Sequence, residues 1–376
     1  MREKRKGYWE LRVDAGTDPV THRRRQISRG FQGGQRAAEA ALRALASEVD
    51  AGRHRGTEAT FGALLEAWYG QAVDSWSPTT TERVRSLIDR HLAPALGDTP
   101  LSKLGAAQLD ALYRRLRSEG LSPATVRKVH NVAHRALNQA LRWQWLAANP
   151  AAAASPPAVH DAEIRPPPSE LARELVALAD KTNPELAAFL RISAATGARR
   201  GEICALRHSD FDGQSLLFAR AAVRDHGRTV IKGTKTNRER RIALDPLTAS
   251  MLAAQAQRQR DRARDHELEL IADPYLFADV TGEHPWSPNS VSLSFGRLRR
   301  TLGAKGVRLH DLRHLHATEL LAAGVPVKTV AGRLGHARAS MTHDRYGHWV
   351  PASDRDAADI IGQILAEPKH DEGAPE

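Results

Sequence analysis

The sequence predicts a mainly α-helical protein with small β elements, built in three folded parts. Three observations carry this. Apolar residues recur at helical spacing through most of residues 57–150 and 169–366. Short β-branched runs occur in only two places, the N-terminal segment and the run from SLLFARAAV to NRERRIAL. Between the helical parts, the proline- and alanine-rich stretch NPAAAASPPAVHDAEIRPPPSE stops the periodicity and reads as an extended linker. The expected parts are therefore residues 1–56, 57–150, a linker at 151–168, 169–366, and a disordered tail at 367–376.

In residues 1–56, GYWELRV reads as a strand, GTDP as a turn and THRRRQISRGF as a second, very basic strand. Ala37, Ala41, Leu45 and Val49 then repeat about once per helical turn. This segment holds 13 Lys and Arg against 7 Asp and Glu. A basic sheet backed by a helix would lay Arg23, Arg24, Arg25 and Arg29 on a phosphate backbone. The same charges also suit a solvated edge strand that resists pairing.

Residues 57–150 read as four short-looped helices, a compact bundle. Ser77-Pro78 and Ser122-Pro123 place a capping hydroxyl before a proline at the first helical position. Gly97 and Gly120 stand where helices should stop. The last helix carries Arg127, Lys128, His130, His134, Arg135 and Arg142, as either a face for a DNA groove or a solvated face. In residues 169–366 the β runs predict one small antiparallel sheet inside a mostly helical domain. Near the end, AADIIGQILAE reads as a helix whose apolar face docks on its own domain or on a neighbouring protomer.

Lys and Arg total 55 against 44 Asp and Glu, a formal charge of +11. An excess of this size points first to a polyanionic partner, most often nucleic acid. The single cysteine, Cys204, excludes an internal disulfide and a cysteine-based zinc cluster, and suits a reducing cytoplasm. No apolar run approaches the length of a membrane span, and the charged N-terminus is no secretory signal.

Four segments carry the candidate chemistry. AATGARRGEICALRHSDF holds Arg199 and Arg200 after a Thr-Gly turn, then Glu202. KGTKTNRERR places Lys235 in or beside a β-turn. RLHDLRHLHATELL sets His310 and Arg313 three apart, on one face of a helix. RLGHARASMTHDRYGH holds His336 and Tyr346. His310 and His314 have zinc-like spacing, but no glutamate or thiolate accompanies them as a metal helix requires. Of the five tyrosines, only Tyr346 lies in a polar, histidine-rich segment after both histidine motifs.

Together, and in this order, the four segments resemble the tyrosine recombinases, also called phage-type integrases. TGARRGE is similar to the family's first-arginine motif and IKGTKTNRERR to its β-hairpin lysine segment. HDLRHLHAT is similar to its His-x-x-Arg motif, and LGHARASMTHDRYGH to the segment joining the second histidine to the tyrosine nucleophile. TFGALLEAWY, RHLAPALGDTPLSKL and LSPATVRKVHNVAHRALNQALRW resemble the family's core-binding domain, and GYWELRVDAGTDPVTHRRRQ its arm-binding domain.

The resemblance implies phosphoryl transfer on DNA without metal, cofactor or ATP. A phosphodiester transition state gathers negative charge on its non-bridging oxygens, and guanidinium groups can supply the counter-charge while gripping two oxygens at once. Arg199 and Arg313 take that part by resemblance, and Glu202 supports an arginine. His310 is the matched base, Lys235 the matched acid, His336 a hydrogen-bonding partner of the phosphate and Tyr346 the nucleophile. The implied partners are double-stranded attachment-site DNA and a homotetramer assembled on it, with a host bending protein or directionality factor as a further partner. The implied location is the cytoplasm, at the nucleoid. A chromosome-dimer resolvase, a relaxing type IB topoisomerase and a catalytically inactive DNA-binding regulator share parts of the pattern. The basic N-terminal module argues against the resolvases, and the full set of six matched residues against the regulator.

Overall fold

The computed structural model describes residues 1–18, 20–21, 23–50, 57–159, 166–225, 227–233 and 239–346. The chain divides into two compact units, Met1–Asp161 and Ala162–Glu376. No helix among the described residues is long and apolar enough to cross a membrane.

The first unit opens with a three-stranded antiparallel sheet, β1 (Arg2–Arg5), β2 (Tyr8–Thr17) and β3 (Arg24–Gln32), followed by α1 (Gln35–Asp50). Strand alternation sends Trp9, Leu11 and Val13 of β2 and Ile27 and Phe31 of β3 to one face, where they pack on Ala38, Ala41, Leu42 and Leu45. The same alternation corrects the expectation of a single arginine surface. Leu11 pairs with Arg29 in register, so Arg29 leans toward α1, where it meets Glu48 at 3.0 Å, and Arg25 shares its parity. Arg24 projects from the opposite face and pairs with Asp14 at 2.6 Å. Arg23 precedes the strand and is exposed. Neighbours in a strand cannot share a face, so the run RRR splits between the two sides.

Four helical segments follow: α2 (Phe61–Ala72), α3 (Pro78–Leu87) running through a π turn (Ile88–Leu92) into α4 (Ala93–Leu96), α5 (Ala106–Ser118) and α6 (Pro123–Arg142). Phe61, Leu64, Leu65, Trp68, Leu92, Leu109, Leu112, Val126 and Leu137 form their core. Ser122 accepts the Thr125 amide at 3.2 Å, whereas the Ser77 hydroxyl bonds that of Thr80 and caps no amide. Gly97 keeps a right-handed φ of −54°, so it is not a left-handed stop. Its role is close approach: the Gly62 amide donates to its carbonyl at 2.8 Å, and a Cβ on Gly97 would lie 2.5 Å from the Ala93 oxygen. Asp18 is buried and joins the sheet module to the bundle, accepting from the Thr57 hydroxyl at 2.8 Å and the Glu58 amide at 2.7 Å.

On α6, His130 is buried against the Tyr113 hydroxyl at 2.9 Å and belongs to the core, not to a basic face. Burial, then the charge of His134, holds its pKa below the ordinary value. Lys128 and Arg135, with Asn131 between them, form an exposed stripe on the opposite side. Arg127 is tied to the Pro157 carbonyl at 2.9 Å. That bond, the buried Ala151 and the bond from the Ser155 amide to Asp110 (2.7 Å) pack the start of the expected linker onto the bundle.

The second unit contains α7 (Ser169–Thr182), α8 (Pro184–Thr196) and α9 (Arg200–Cys204), then β4 (Ser215–Phe218), β5 (Arg220–Asp225), β6 (Arg228–Gly233) and β7 (Arg240–Ala243). It continues through α10 (Pro246–Asp265), α11 (Pro288–Thr301), α12 (Asp311–Ala322), α13 (Val327–Leu334) and α14 (Ser340–Tyr346). α8 is buried nearly all round, with Leu186, Phe189, Leu190 and Ile192 in the main core. The strands form two ribbons instead of one sheet: β5 and β6 make a hairpin, and β4 pairs with the later β7. The break at Ala219 lets the chain change partner between β4 and β5. A smaller core joins α12, α13 and α14 through Ala317, Leu321, Val330, Leu334 and the ring of Tyr346. The AADIIGQILAE segment and Lys235 lie outside the described residues.

Candidate active site

The site grows from the turn after α8. Gly197 takes a left-handed φ of +63°, which ends the helix and turns the chain into α9. Its carbonyl, freed by that turn, accepts from Arg313 Nη1 at 2.6 Å. A Cβ there would lie 2.7 Å from the His316 ring and 2.8 Å from Leu334. Gly197→Ala is therefore expected to destabilise the second unit by about 1–3 kcal/mol, from backbone strain plus the clash. A thermal denaturation curve unchanged by the substitution would refute this.

Arg199 occupies the N-cap position of α9, and Glu202, in the first turn, closes back on it. The Glu202 carboxylate accepts the Arg199 amide at 2.8 Å and Arg199 Nη1 at 3.0 Å. It also accepts Arg240 Nη2 at 2.6 Å. Arg240 comes from β7 and additionally donates from Nε to the Arg333 carbonyl at 2.9 Å. Glu202 is 3% exposed. Burial pushes its pKa up, but the bond from Arg240, with the charges of Arg240 and Arg199, outweighs this and holds it below the usual carboxylate range.

Arg313, on α12, is 2% exposed. Its second amine donates to His336 Nε2 at 2.8 Å. A guanidinium has no acceptor, so Nε2 of His336 carries no proton. The imidazole proton sits on Nδ1, directed at the Thr342 hydroxyl 2.7 Å away. Burial first, then the charge of Arg313, brings His336 down to about 4, so it is neutral. His336 is thus oriented between Arg313 and α14.

His310 occupies the N-cap position of α12 and lines a cavity of about 400 Å³ together with Arg199, Arg200, Ser292 and Arg308. Arg200 bonds the Ser292 hydroxyl, and Arg308 pairs with Asp311 at 2.8 Å. Three arginines thus line this cavity, a setting that suits an anion. Desolvation, then the adjacent His314, keeps His310 below its ordinary pKa. Tyr346 ends α14 with its ring in the apolar cluster and 1% exposed. Its hydroxyl lies 2.6 Å from His314 Nδ1. The resemblance matches His310 as its base, whereas in the structure its partner is His314. Burial raises the Tyr346 pKa, and Arg313 and Arg345 offset this only in part.

The structure therefore gathers Arg199, Glu202, His310, Arg313, His336 and Tyr346 into one network. Two further residues join it, Arg240 through Glu202 and His314 through Tyr346. Arg240 hides in the charged run NRERR, yet it shares strand parity with the buried Ile242, a signal that it faces inward. His314 stands out in the sequence only by its spacing from His310. Among the described residues no group of three or more His, Cys, Asp or Glu is arranged to hold a metal ion.

The family model described as "Phage integrase family" matches residues 169–352, and "Phage integrase central domain" matches residues 61–156. The chain is 22% identical over 368 residues to the ICEBs1 integrase of Bacillus subtilis, covering 96% of this chain and 98% of that one. It is 23% identical to a tyrosine recombinase XerC-like protein of Caldanaerobacter subterraneus, covering 82% and 84%. The Tn1549 transposon integrase bound to circular intermediate DNA aligns with a TM-score of 0.67 at 18% identity, over 82% of this chain and all of that one. A lambda integrase tetramer bound to a Holliday junction aligns with a TM-score of 0.58 at 20% identity, over 88% and 92%.

Proposed function

Because the chain belongs to the phage integrase family, we propose that it is a site-specific DNA recombinase that integrates and excises a mobile element through Tyr346. The observation that carries this reading is the setting of Arg313. It is a buried guanidinium held by Gly197 and His336, with Arg199 and Tyr346 in the same network, inside the region the family model matches.

Arg199 and Arg313 bind the non-bridging oxygens of the scissile phosphate and neutralise the charge that builds there. The Tyr346 oxygen attacks phosphorus. A 3′-phosphotyrosyl ester forms as the bond to the 5′ oxygen breaks, and that oxygen takes a proton from Lys235. The tyrosine proton passes to His310, the base matched by resemblance. The ester conserves the energy of the broken bond, so the 5′ hydroxyl of a partner strand reverses the step and seals the new junction. Two such rounds exchange both strand pairs, which calls for four protomers on two sites. The lambda integrase tetramer on a Holliday junction supports that stoichiometry.

DNA is the partner that the +11 charge and the DNA-bound neighbours support. Lys128 and Arg135 supply backbone contacts from the bundle, and Arg23 and Arg24 from the sheet module. That module favours an integrase over a chromosome-dimer resolvase. A host bending protein or directionality factor would set direction. The test is strand exchange between two duplexes carrying the ends of the element that encodes the protein, in EDTA and without ATP. Recombinant product is expected. A strict requirement for divalent metal or ATP would overturn the mechanism.

A further inference from the structure

We propose that His314 is a positioning residue for the nucleophile, its Nδ1 lone pair accepting the Tyr346 hydroxyl and fixing where that hydroxyl stands. This rests on the reading of Tyr346 as nucleophile. His314 is 3% exposed, one helical turn after His310 on α12, with the two rings edge to face at 4.9 Å. Tyr346 ends a seven-residue helix, and the 2.6 Å contact with His314 is the polar tie of its side chain to α12. The phenol is the better donor and a neutral imidazole the better acceptor, so the hydroxyl donates. A hydroxyl buried this deeply without an acceptor would be strongly disfavoured, so the tie selects one position of the α14 terminus.

The contact orients the Tyr346 hydroxyl toward a neutral imidazole. Burial, then the charge of Arg345, with Arg308 and Arg313 also near, brings His314 down to about 4, and Asp311 offsets this only in part. The phenol lies above its ordinary 10. In this arrangement His314 is the acceptor of the hydrogen bond that orients the hydroxyl.

The experiment compares wild type, His314→Phe and His314→Asn in single-turnover cleavage of a nicked suicide duplex carrying the element end. Phenylalanine keeps the ring and removes the acceptor. Asparagine places its amide oxygen near the Nδ1 position and cannot take up a proton. The Phe variant should cleave roughly ten-fold more slowly or worse with DNA affinity unchanged. The Asn variant should stay within about three-fold of wild type and keep its pH profile. A Phe variant as fast as wild type overturns the proposal, as does an Asn variant that binds DNA normally yet loses ten-fold or changes its pH profile. If the Phe variant does not fold, the Asn result decides alone. If the wild type itself forms no covalent complex, the nucleophile assignment fails instead, and that outcome is distinct from either variant's failure.

Discussion

Replacing Arg313 by lysine is expected to slow covalent cleavage by about 10²–10³-fold while DNA affinity changes little. Three features of the site add up to this. Arg313 spans two acceptors, Gly197 O at 2.6 Å and His336 Nε2 at 2.8 Å, in the plane of one guanidinium. A lysine ammonium is a point donor on a flexible stem and cannot hold that geometry while facing a phosphate. Burial, then the charge of Arg199, already lowers Arg313 to about 10. A guanidinium starting above 12 survives that as a cation, whereas a lysine starting near 10.4 would be driven toward neutrality at the pH of the reaction. The substitution therefore removes both the fork and much of the charge. Single-turnover cleavage of the suicide duplex measures the effect. A loss of less than about three-fold would show that Arg199 alone carries the transition-state charge.

The second large effect is expected at Glu202, through stability. Glu202 is 3% exposed and Arg240 11% exposed, and their closest contact is 2.6 Å. Glu202→Gln removes the charge and leaves the Arg240 guanidinium buried without its counter-ion. Breaking a buried pair from one side costs roughly 3–5 kcal/mol. Glu202→Gln combined with Arg240→Leu should recover part of that loss, because neither charge then remains buried. Urea denaturation measures both variants. Equal midpoints for wild type and Glu202→Gln would contradict this account. The same pair predicts a pH dependence. The folded-state pKa of Glu202 lies below its unfolded value of 4.5, so the stabilisation is fully present above pH 4.5 and is lost as pH falls through the lower folded value. Wild type should therefore lose stability on acidification more steeply than Glu202→Gln.

The resemblance of four ordered motifs to a known family made much of the candidate site legible in the sequence. Arg199, His310, Arg313, His336 and Tyr346 stand in motifs whose linear arrangement survives folding, because each lies on a short local element such as the Gly197 turn or the start of α12. What escaped depends on pairing between distant segments. Arg240 reaches Glu202 only because β7 brings it back across the chain, and a run of arginines around one glutamate reads as solvated until that contact is known. His314 showed no role in the sequence because its partner, the Tyr346 hydroxyl, is 32 residues away. The arm arginines illustrate the converse. Composition saw the charge, but the two-residue strand period that divides Arg24 from Arg25 and Arg29 matters only once the hydrophobic face is fixed by Leu11, Val13 and Ile27. The two-ribbon arrangement of β4 to β7 was hidden for a similar reason, since runs of β-branched residues do not name their partners.

The central claim is that Tyr346 becomes joined to DNA. The most direct measurement is mass spectrometry of the peptide left on a suicide duplex after incubation in EDTA and proteolysis. The expected result is a 3′-phosphate ester on Tyr346 in the wild type and no covalent complex with Tyr346→Phe. A complex that persists in Tyr346→Phe, or an adduct mapped to Tyr275 or any other residue, would contradict the account.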